Sequence, residues 1–198
     1  MRKFIKMPKH LFLLLVIASL TSCHKQNPVI IIKTEIGHIT VELYEREAPV
    51  TVQNFLHYVD EKRLDSSEFY RVVRPDNQPD NPIKIQVIQG GLYEDEHPRM
   101  LAAIEHENTQ TTGIKHLRGV ISMARYHPGS ATSEFFICVD AEPELDYGGM
   151  RNEDGAGFAA FGKVIDGMDI VDKIHQSPAV GQMLQPRIRI MEIVRRIK

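Results

Sequence analysis

Three short segments of the sequence combine side chains that could act on a bound ligand. They are Phe69-Tyr70-Arg71, Gln89-Gly90-Gly91 and Ser133-Glu134-Phe135-Phe136-Ile137. An arginine is permanently charged, presents its N–H donors in a rigid plane and cannot act as a general base. Arg71 is therefore suited to hydrogen bonding and charge stabilisation, not to proton abstraction. Without such neighbours, an arginine in a strand is more often one partner of a surface ion pair.

Strand-like segments would hold these side chains in place. Ile39, Val41 and Leu43 alternate with Thr40 and Glu42, which is the period of a half-buried strand. Apolar or alternating runs of similar length predict eight strands, at residues 29–32, 39–44, 68–73, 83–89, 119–124, 134–139, 159–165 and 188–194. Many short strands in one domain favour a β-sandwich or a closed barrel, and the pattern alone does not choose between them.

Two helices are predicted between the strands. Pro49 can open the first helix at a position where its missing N–H is not needed. The residues after it follow the i, i+3, i+4, i+7 spacing of one apolar helical face, at Val52, Phe55, Leu56 and Val59. The second helix is predicted from Gly167 to His175, with Asp166 as its N-cap.

In this order the three segments resemble the active-site framework of cyclophilins, which are enzymes that rotate the peptide bond before proline. Residues 119–125 and 158–164 are similar to two further segments of that family. The match is strongest from about Val29 to Lys173, and the predicted last strand, 188–194, extends it over nearly all of the chain after residue 28. The resemblance implies a mainly β fold, a closed eight-stranded antiparallel β-barrel capped by two α-helices. It also implies peptidyl-prolyl cis-trans isomerase activity with no cofactor and no metal.

The resemblance further implies roles for individual residues. Arg71 would be the catalytic arginine, and Gln89 the glutamine that hydrogen-bonds and orients it. The substrate-binding positions would be Phe69, Val87, Ala124, Arg125, Phe136, Leu145 and Phe158. Phe136 would floor the proline pocket, and strand alternation turns Phe135 to the opposite face. Arg125 would contribute mainly main-chain hydrogen bonds.

The segment before Gln89 departs from the family pattern. Many members place a Phe-Met pair there, whereas this chain has Gln86 and Val87. Val87 can still supply an apolar wall, but Gln86 removes an aromatic ring. If the register of residues 83–89 differs by two positions, Ile85 or Ile88 lines the pocket instead.

Two more departures keep alternative functions open. Glu134 stands where a glutamine is usual and adds a negative charge near Arg71, which could orient the arginine or compete with substrate for it. Phe158 stands where many members have histidine or tyrosine. Together with Gln86, these changes support an alternative function, a proline-peptide binding module or chaperone on the same frame with little or no turnover. A small-ligand carrier would need an open barrel interior, whereas the Ile, Val and Phe content of the strands predicts a filled one.

Residues 93–118 form an insertion-like segment that contains three histidines and four glutamates. They are His97, His106 and His116 with Glu94, Glu96, Glu105 and Glu107. Imidazole and carboxylate groups suit zinc or manganese, but this spacing matches no compact ligand motif. We therefore expect a solvated, partly helical loop at the edge of the groove and no metal site.

The first 22 residues have the layout of a secretory signal. Four basic residues precede an apolar run, 11–20, that is too short to span a bilayer as a helix. The sequence Leu20-Thr21-Ser22-Cys23 resembles the bacterial lipoprotein processing site, so we predict cleavage before Cys23 and lipidation of its thiol. An ordinary signal peptide with a chance cysteine is the alternative. The predicted parts are a signal peptide (1–22), a lipidated tether (23–28) and a cyclophilin-like domain (29–198).

These features predict a monomer in the cell envelope, lipid-anchored outside the cytoplasm on the periplasmic or surface face. Its predicted partners are proline-containing polypeptides and the membrane that holds the anchor. Without the four basic residues of the signal, 20 basic residues stand against 26 acidic ones, a formal charge of −6. This balance argues against nucleic acid as a partner. Cys138 is the one cysteine besides Cys23, so an internal disulfide is not expected.

Overall fold

Nine strands and three α-helices form between residues 26 and 196, the part of the chain that the computed structural model describes. The strands are β1 Val29–Thr34, β2 Gly37–Leu43, β3 Glu68–Val73, β4 Val87–Gly91, β5 Val120–Met123, β6 Phe135–Cys138, β7 Ala159–Asp166, β8 Ala179–Val180 and β9 Met183–Arg195. The helices are α1 Pro49–Asp60, α2 Thr109–Thr112 and α3 Met168–Gln176. The predicted signal peptide and Cys23 lie outside the described residues. None of the helices between residues 26 and 196 has the length and apolar character needed to cross a bilayer.

Eight of these strands close into a barrel. They follow the order β1-β2-β7-β5-β6-β4-β3-β9, every neighbouring pair is antiparallel, and β9 pairs back onto β1. The two-residue β8 pairs with β9 alone among the described strands. Closure leaves no open sheet edge within these eight strands, which is the usual advantage of a barrel. The predicted closed, eight-stranded antiparallel barrel is therefore confirmed.

Aromatic and branched side chains fill the interior of the barrel. Phe55 of α1 meets Phe135 of β6 edge-to-face with ring centroids 5.4 Å apart, and it also packs against Phe161 at 5.1 Å. Phe69 of β3 contacts Phe135 from another side at 5.7 Å. All four rings are at most 1 % exposed. They occupy the space in which a small-ligand carrier would hold its cargo, so the structure does not support that alternative.

The helices lie as the sequence predicts, with one correction at an end. α1 packs against β7 and β9, and α3 packs against β2, β3 and β4. The N-cap of α3 is Gly167, not Asp166, because β7 continues through Asp166, which pairs with Thr40. Gly167 has φ of +87°, and a Cβ there would lie 2.2 Å from the His38 carbonyl oxygen. Only glycine makes this turn without strain.

The start of β4 is a second correction. The sequence predicts a strand over 83–89, whereas β4 begins at Val87 and ends at Gly91. The residues before it form hydrogen bonds with side chains instead of pairing with a neighbouring strand. Gln78 donates its amide N–H to the Ile85 carbonyl at 2.8 Å, and Glu142 accepts the Gln86 N–H at 2.7 Å. These side-chain contacts, of which the one to Glu142 spans 56 residues, take the place of strand pairing and have no signature in the local sequence.

Truncation of Phe135 should destabilise the barrel strongly. Phe135→Ala opens a cavity between α1, β3 and β6, and we expect the free energy of unfolding to fall by about 3–5 kcal/mol. Urea denaturation followed by circular dichroism measures the change. Tyr126→Ala is the control, because Tyr126 is 80 % exposed and its truncation should change stability by less than about 0.5 kcal/mol. Equal effects of the two substitutions would contradict the assignment of Phe135 to the core.

Candidate active site

A β-bulge in β3 decides which side chains reach the outer surface of the barrel. Phe69 pairs with Gly90 and Arg71 pairs with Gln89, so Tyr70 is an extra residue without a partner in β4. A bulge of this kind turns two consecutive side chains to the same face. Tyr70 and Arg71 both line a surface groove, whereas Phe69 is fully buried in the barrel. The expectation that Phe69 contacts substrate is corrected for this reason, and Tyr70 takes its place in the groove.

Arg71 is held from two directions. Its Nη1 donates to Gln89 Oε1 at 2.7 Å, and its Nε and Nη2 donate to Gln182 Oε1 at 2.9 Å and 2.6 Å. Gln182 is fixed in turn, because its Nε2 donates to the Asn77 carbonyl at 3.0 Å. Burial lowers the pKa of Arg71 from its usual value, but a guanidinium remains charged in any case. The predicted contact between Gln89 and Arg71 is therefore present.

Gln89 also connects Arg71 to Glu134. Gln89 Nε2 donates to the Tyr70 hydroxyl oxygen at 2.6 Å, and the Tyr70 hydroxyl donates to Glu134 Oε2. Glu134 Oε1 accepts the Tyr93 backbone N–H at 3.0 Å. Burial, followed by the charge of Glu134, raises the pKa of Tyr70 far above its usual value. Glu134 is thus linked to Arg71 by hydrogen bonds through Tyr70 and Gln89, and not by a direct ion pair.

An apolar pocket lies beside Arg71 in the same groove. Its buried cluster consists of Val73, Ile85, Val87, Phe136, Cys138 and Leu145, with Ala124 and Phe158 packed against it. Phe136 and Phe158 meet edge-to-face with centroids 5.4 Å apart. Alternation along β6 places Phe136 here and Phe135 in the barrel core. Ile85, not Ile88, is the isoleucine that joins Val87 in the wall, since Ile88 faces the barrel interior.

Arg125 fixes the position of Phe158. Its Nε donates to the Gly157 carbonyl at 2.8 Å, and its two terminal nitrogens donate to the Asp154 carboxylate at 2.6 Å and 2.9 Å. The guanidinium also lies over the Phe158 ring, 5.0 Å from the centroid. The Arg125 hydrogen bonds lower the pKa of Asp154 to about 2. Arg125 therefore lines the groove as the resemblance implies, but its side chain braces the pocket wall.

A buried histidine supports the pocket floor from behind. His116 stacks on Phe136 with centroids 6.0 Å apart, and its ring nitrogens lie 2.8 Å from Asp146 Oδ1 and 3.0 Å from Ser122 Oγ. Burial lowers the pKa of His116. Ser, His and Asp are the side chains of a hydrolytic triad, but Ser122 is fully buried and no substrate can reach it. We therefore regard this set as structural support for Phe136.

The histidines of the 93–118 segment do not converge. His97 Nδ1 accepts the Arg99 N–H at 3.1 Å, and His106 Nε2 lies 3.2 Å from the Ala156 carbonyl. Within residues 26–196, no group of three histidine, cysteine, aspartate or glutamate side chains is arranged to hold a metal ion. The segment contains the short helix α2, which the sequence did not predict as a separate element.

Comparison with known proteins identifies the family. The family model described as cyclophilin type peptidyl-prolyl cis-trans isomerase/CLD matches residues 29–195. A peptidyl-prolyl cis-trans isomerase of Acinetobacter baylyi is 37 % identical over 153 residues, which are 77 % of this chain and 74 % of the relative. Peptidyl-prolyl cis-trans isomerase B of Escherichia coli is 35 % identical over 142 residues, 71 % of this chain and 80 % of the relative.

A solved structure agrees in fold. A cyclophilin type peptidyl-prolyl cis-trans isomerase of Cryptosporidium parvum, determined in the presence of the dipeptide Ala-Pro, superimposes with a TM-score of 0.69 at 22 % identity. The match covers 86 % of this chain and 99 % of that one. Because the family model covers residues 29–195 and both bacterial relatives exceed 30 % identity, the chain belongs to the cyclophilin family of peptidyl-prolyl cis-trans isomerases. The family, the fold and the class of enzyme that the resemblance implied are confirmed.

Gln182 is a site residue that the sequence analysis missed. It follows Gly181 in the turn between β8 and β9, 111 residues after Arg71. A glutamine beside a glycine reads as an ordinary turn residue, so the sequence carries no sign of its contact with Arg71. Tyr70 was quoted only as part of the arginine motif, and its link between Gln89 and Glu134 depends on the bulge.

Glu142, behind the pocket, should make stability depend on pH. Burial raises its pKa from 4.5 to about 7, so between these values the folded protein keeps a proton that the unfolded chain has released. The free energy of unfolding then falls as pH rises through this range. Glu142→Gln removes the titration. As pH rises from about 4 to about 8, we expect the free energy of unfolding of the variant to increase by about 1–3 kcal/mol relative to that of the wild type.

Urea denaturation at several pH values measures this difference. Glu153→Gln is the control, because Glu153 is exposed and the same substitution there should change stability by less than about 0.5 kcal/mol. A stability difference between Glu142→Gln and the wild type that stays constant with pH would contradict the expected titration.

Proposed function

We propose that this isomerase rotates X–Pro bonds in exported polypeptides, with Arg71 as the catalytic residue and Gln89 as the residue that orients it. The observation that carries the proposal is the position of Arg71, which lines one groove together with the apolar pocket of Phe136, Leu145 and Val87. A proline ring fits an apolar pocket of this kind. The bond before that ring would then lie near a fixed cation.

The reaction requires stabilisation of a twisted amide. Amide resonance opposes rotation with a barrier of about 18–20 kcal/mol, and uncatalysed exchange takes about 10–100 s. At the twisted midpoint the proline nitrogen regains a basic lone pair, and the carbonyl loses its conjugation. A catalyst must therefore bind the twisted geometry more tightly than either planar form.

Arg71 can supply this differential binding. A guanidinium has five N–H donors, and contacts to Gln89 and Gln182 engage three of them among the described residues. The remaining donors are available to a lone pair that exists only in the twisted state. Because the guanidinium is oriented before substrate binds, little reorganisation is needed during the reaction. Phe136 and Phe158 would hold the ring while the bond turns, and Ala124 and Arg125 would lie along the peptide.

The first test compares arginine variants in a protease-coupled assay of X–Pro isomerisation. We expect Arg71→Ala to lower kcat/KM by roughly 10- to 100-fold, because it removes hydrogen bonds from a charged donor. Arg71→Lys should also lose most activity, since an ammonium cannot contact Gln89 and Gln182 in a fixed plane. Arg189→Ala, at an exposed position of β9, is the control and should retain activity.

The outcome also tests the alternative function. If the wild type does not accelerate exchange but binds proline peptides as tightly as Arg71→Ala does, the protein is a binding module on a cyclophilin frame. If the wild type is active and Arg71→Ala is equally active, Arg71 is not the catalytic residue.

The predicted lipid anchor would place the isomerase at a membrane. Leu20-Thr21-Ser22-Cys23 supports processing as a lipoprotein, and two or more acyl chains hold a protein stably on a membrane. Five residues separate Cys23 from Val29, so the barrel would stay within about 20 Å of the bilayer surface. The substrates nearest to such a site are polypeptides that have just crossed the membrane.

Cell fractionation tests the anchor. We expect the wild type in the membrane fraction and Cys23→Ala in the soluble exported fraction or unprocessed, because the variant has no thiol to lipidate. Cys138→Ala is the matched control, since Cys138 is buried and its loss should leave the protein at the membrane. A soluble wild-type protein would favour an ordinary signal peptide, and membrane retention of a processed Cys23→Ala variant would exclude Cys23 as the anchor.

A further inference from the structure

The hydrogen bonds around Arg71 form a chain with a donor at one end and an acceptor at the other. Arg71 donates to Gln89, Gln89 donates to Tyr70, and Tyr70 donates to Glu134. A guanidinium can only donate, and an ionised carboxylate can only accept. Each group between them has one way to satisfy both neighbours. The Gln89 amide must turn its oxygen to Arg71 and its nitrogen to Tyr70.

Both oxygens of Glu134 are needed as acceptors. Oε2 accepts the Tyr70 hydroxyl, and Oε1 accepts the Tyr93 backbone N–H at 3.0 Å and the Ser133 hydroxyl at 3.1 Å. The backbone makes room for this carboxylate at Gly91, which has φ of +145°. A Cβ on Gly91 would lie 2.3 Å from Glu134 Oε1. Glu134 is thus seated in a pocket with donors facing each of its oxygens.

A glutamine at this position would conflict with the chain. Its single oxygen can serve either the Tyr93 N–H or the Tyr70 hydroxyl, and its NH₂ group must face the other. If the oxygen stays with Tyr93, the NH₂ group donates to the Tyr70 oxygen, and the Tyr70 proton loses the acceptor that Glu134 provides. If that proton turns to Gln89 instead, Gln89 must present its oxygen to Tyr70 and its NH₂ group to Arg71, which places donor against donor. If the oxygen moves to Tyr70, the Tyr93 N–H faces a donor instead.

We propose that Glu134 is a positioning residue that fixes the direction of this hydrogen-bond chain and thereby the orientation of Gln89 against Arg71. This inference rests on the proposed function, in which Arg71 stabilises the twisted bond. It assigns Glu134 a supporting role for Arg71, and not that of a competitor with substrate. Tyr70 is the link on which the effect depends.

The test is a double-mutant cycle measured in the isomerisation assay. We expect Glu134→Gln to lower kcat by about tenfold while KM changes by less than about twofold, because Arg71 loses its orientation more than the pocket loses its shape. Tyr70→Phe should lower kcat similarly, since it removes the link. In the Tyr70→Phe background, Glu134→Gln should have little further effect, because the two residues act through one chain. Glu105→Gln, the same change at an exposed position, is the control.

Three results would overturn the proposal. They are an unchanged or raised kcat in Glu134→Gln, a rise in KM without a fall in kcat, and additive effects of the two substitutions. Additivity would indicate that Glu134 acts on Arg71 through space and not through Tyr70. Circular dichroism and thermal unfolding confirm that each variant is folded, and Tyr70→Phe, which deletes one hydroxyl, keeps the test valid if Glu134→Gln does not fold.

The same assay separates this inference from the proposed function. If the wild type is inactive, or if Arg71→Ala is fully active, the proposed function fails and the role of Glu134 fails with it. If Arg71→Ala is impaired and Glu134→Gln is not, only the role of Glu134 fails.

Discussion

The extra residue in β3 is the constraint on which the arrangement of the site depends. Strict alternation would place Phe69 and Arg71 on one face of the strand and Tyr70 on the other. Because Tyr70 is bulged out of the pairing with β4, Phe69 stays in the barrel core and Tyr70 joins Arg71 in the groove. The hydroxyl of Tyr70 can therefore reach Gln89 on the neighbouring strand.

Burial of Arg71 explains why so many polar groups surround it. A buried donor without an acceptor is expensive, and a charged one more so. Gln89 from β4 and Gln182 from the β8–β9 turn both present carbonyl oxygens to the guanidinium. These contacts satisfy the buried donors and hold the cation in one orientation. The hydrogen bonds that stabilise the fold thus also orient Arg71, the residue that we propose to be catalytic.

β6 connects the core of the barrel to the pocket. Phe135 packs inside against Phe55 and Phe69, while its neighbour Phe136 faces outward and stacks on His116. The pocket is therefore built on the outer face of a rigid wall. Phe158 completes it from a loop, and the contact with Arg125 keeps that loop in place. Phenylalanine at 158 does not remove the pocket, because its ring still packs against Phe136.

Glutamate at 134 is accommodated in a comparable way. Its carboxylate is satisfied by donors from Tyr70, Tyr93 and Ser133, so it does not form an ion pair with Arg71. Tyr70 and Gln89 lie between the carboxylate and the guanidinium. This separation leaves N–H donors of Arg71 for a substrate, whereas a direct ion pair would have engaged them.

The sequence by itself determined those features that depend on local spacing. Alternation along strands and the helical spacing after Pro49 predicted most elements, the opposite directions of Phe135 and Phe136, and, through the family motifs, the meeting of Arg71 with Gln89. Only the tertiary structure decided the burial of Phe69, the contact of Gln182 with Arg71, the start of β4 and the choice of Ile85 for the pocket wall. Each of these depends on contacts between segments that are separated in the chain. Examples are the pairing of β3 with β4 around the bulge, the contact of Gln182 with Arg71 and the contact of Glu142 with Gln86. Local periodicity carries no information on such pairings, because their energy arises only when the barrel has closed.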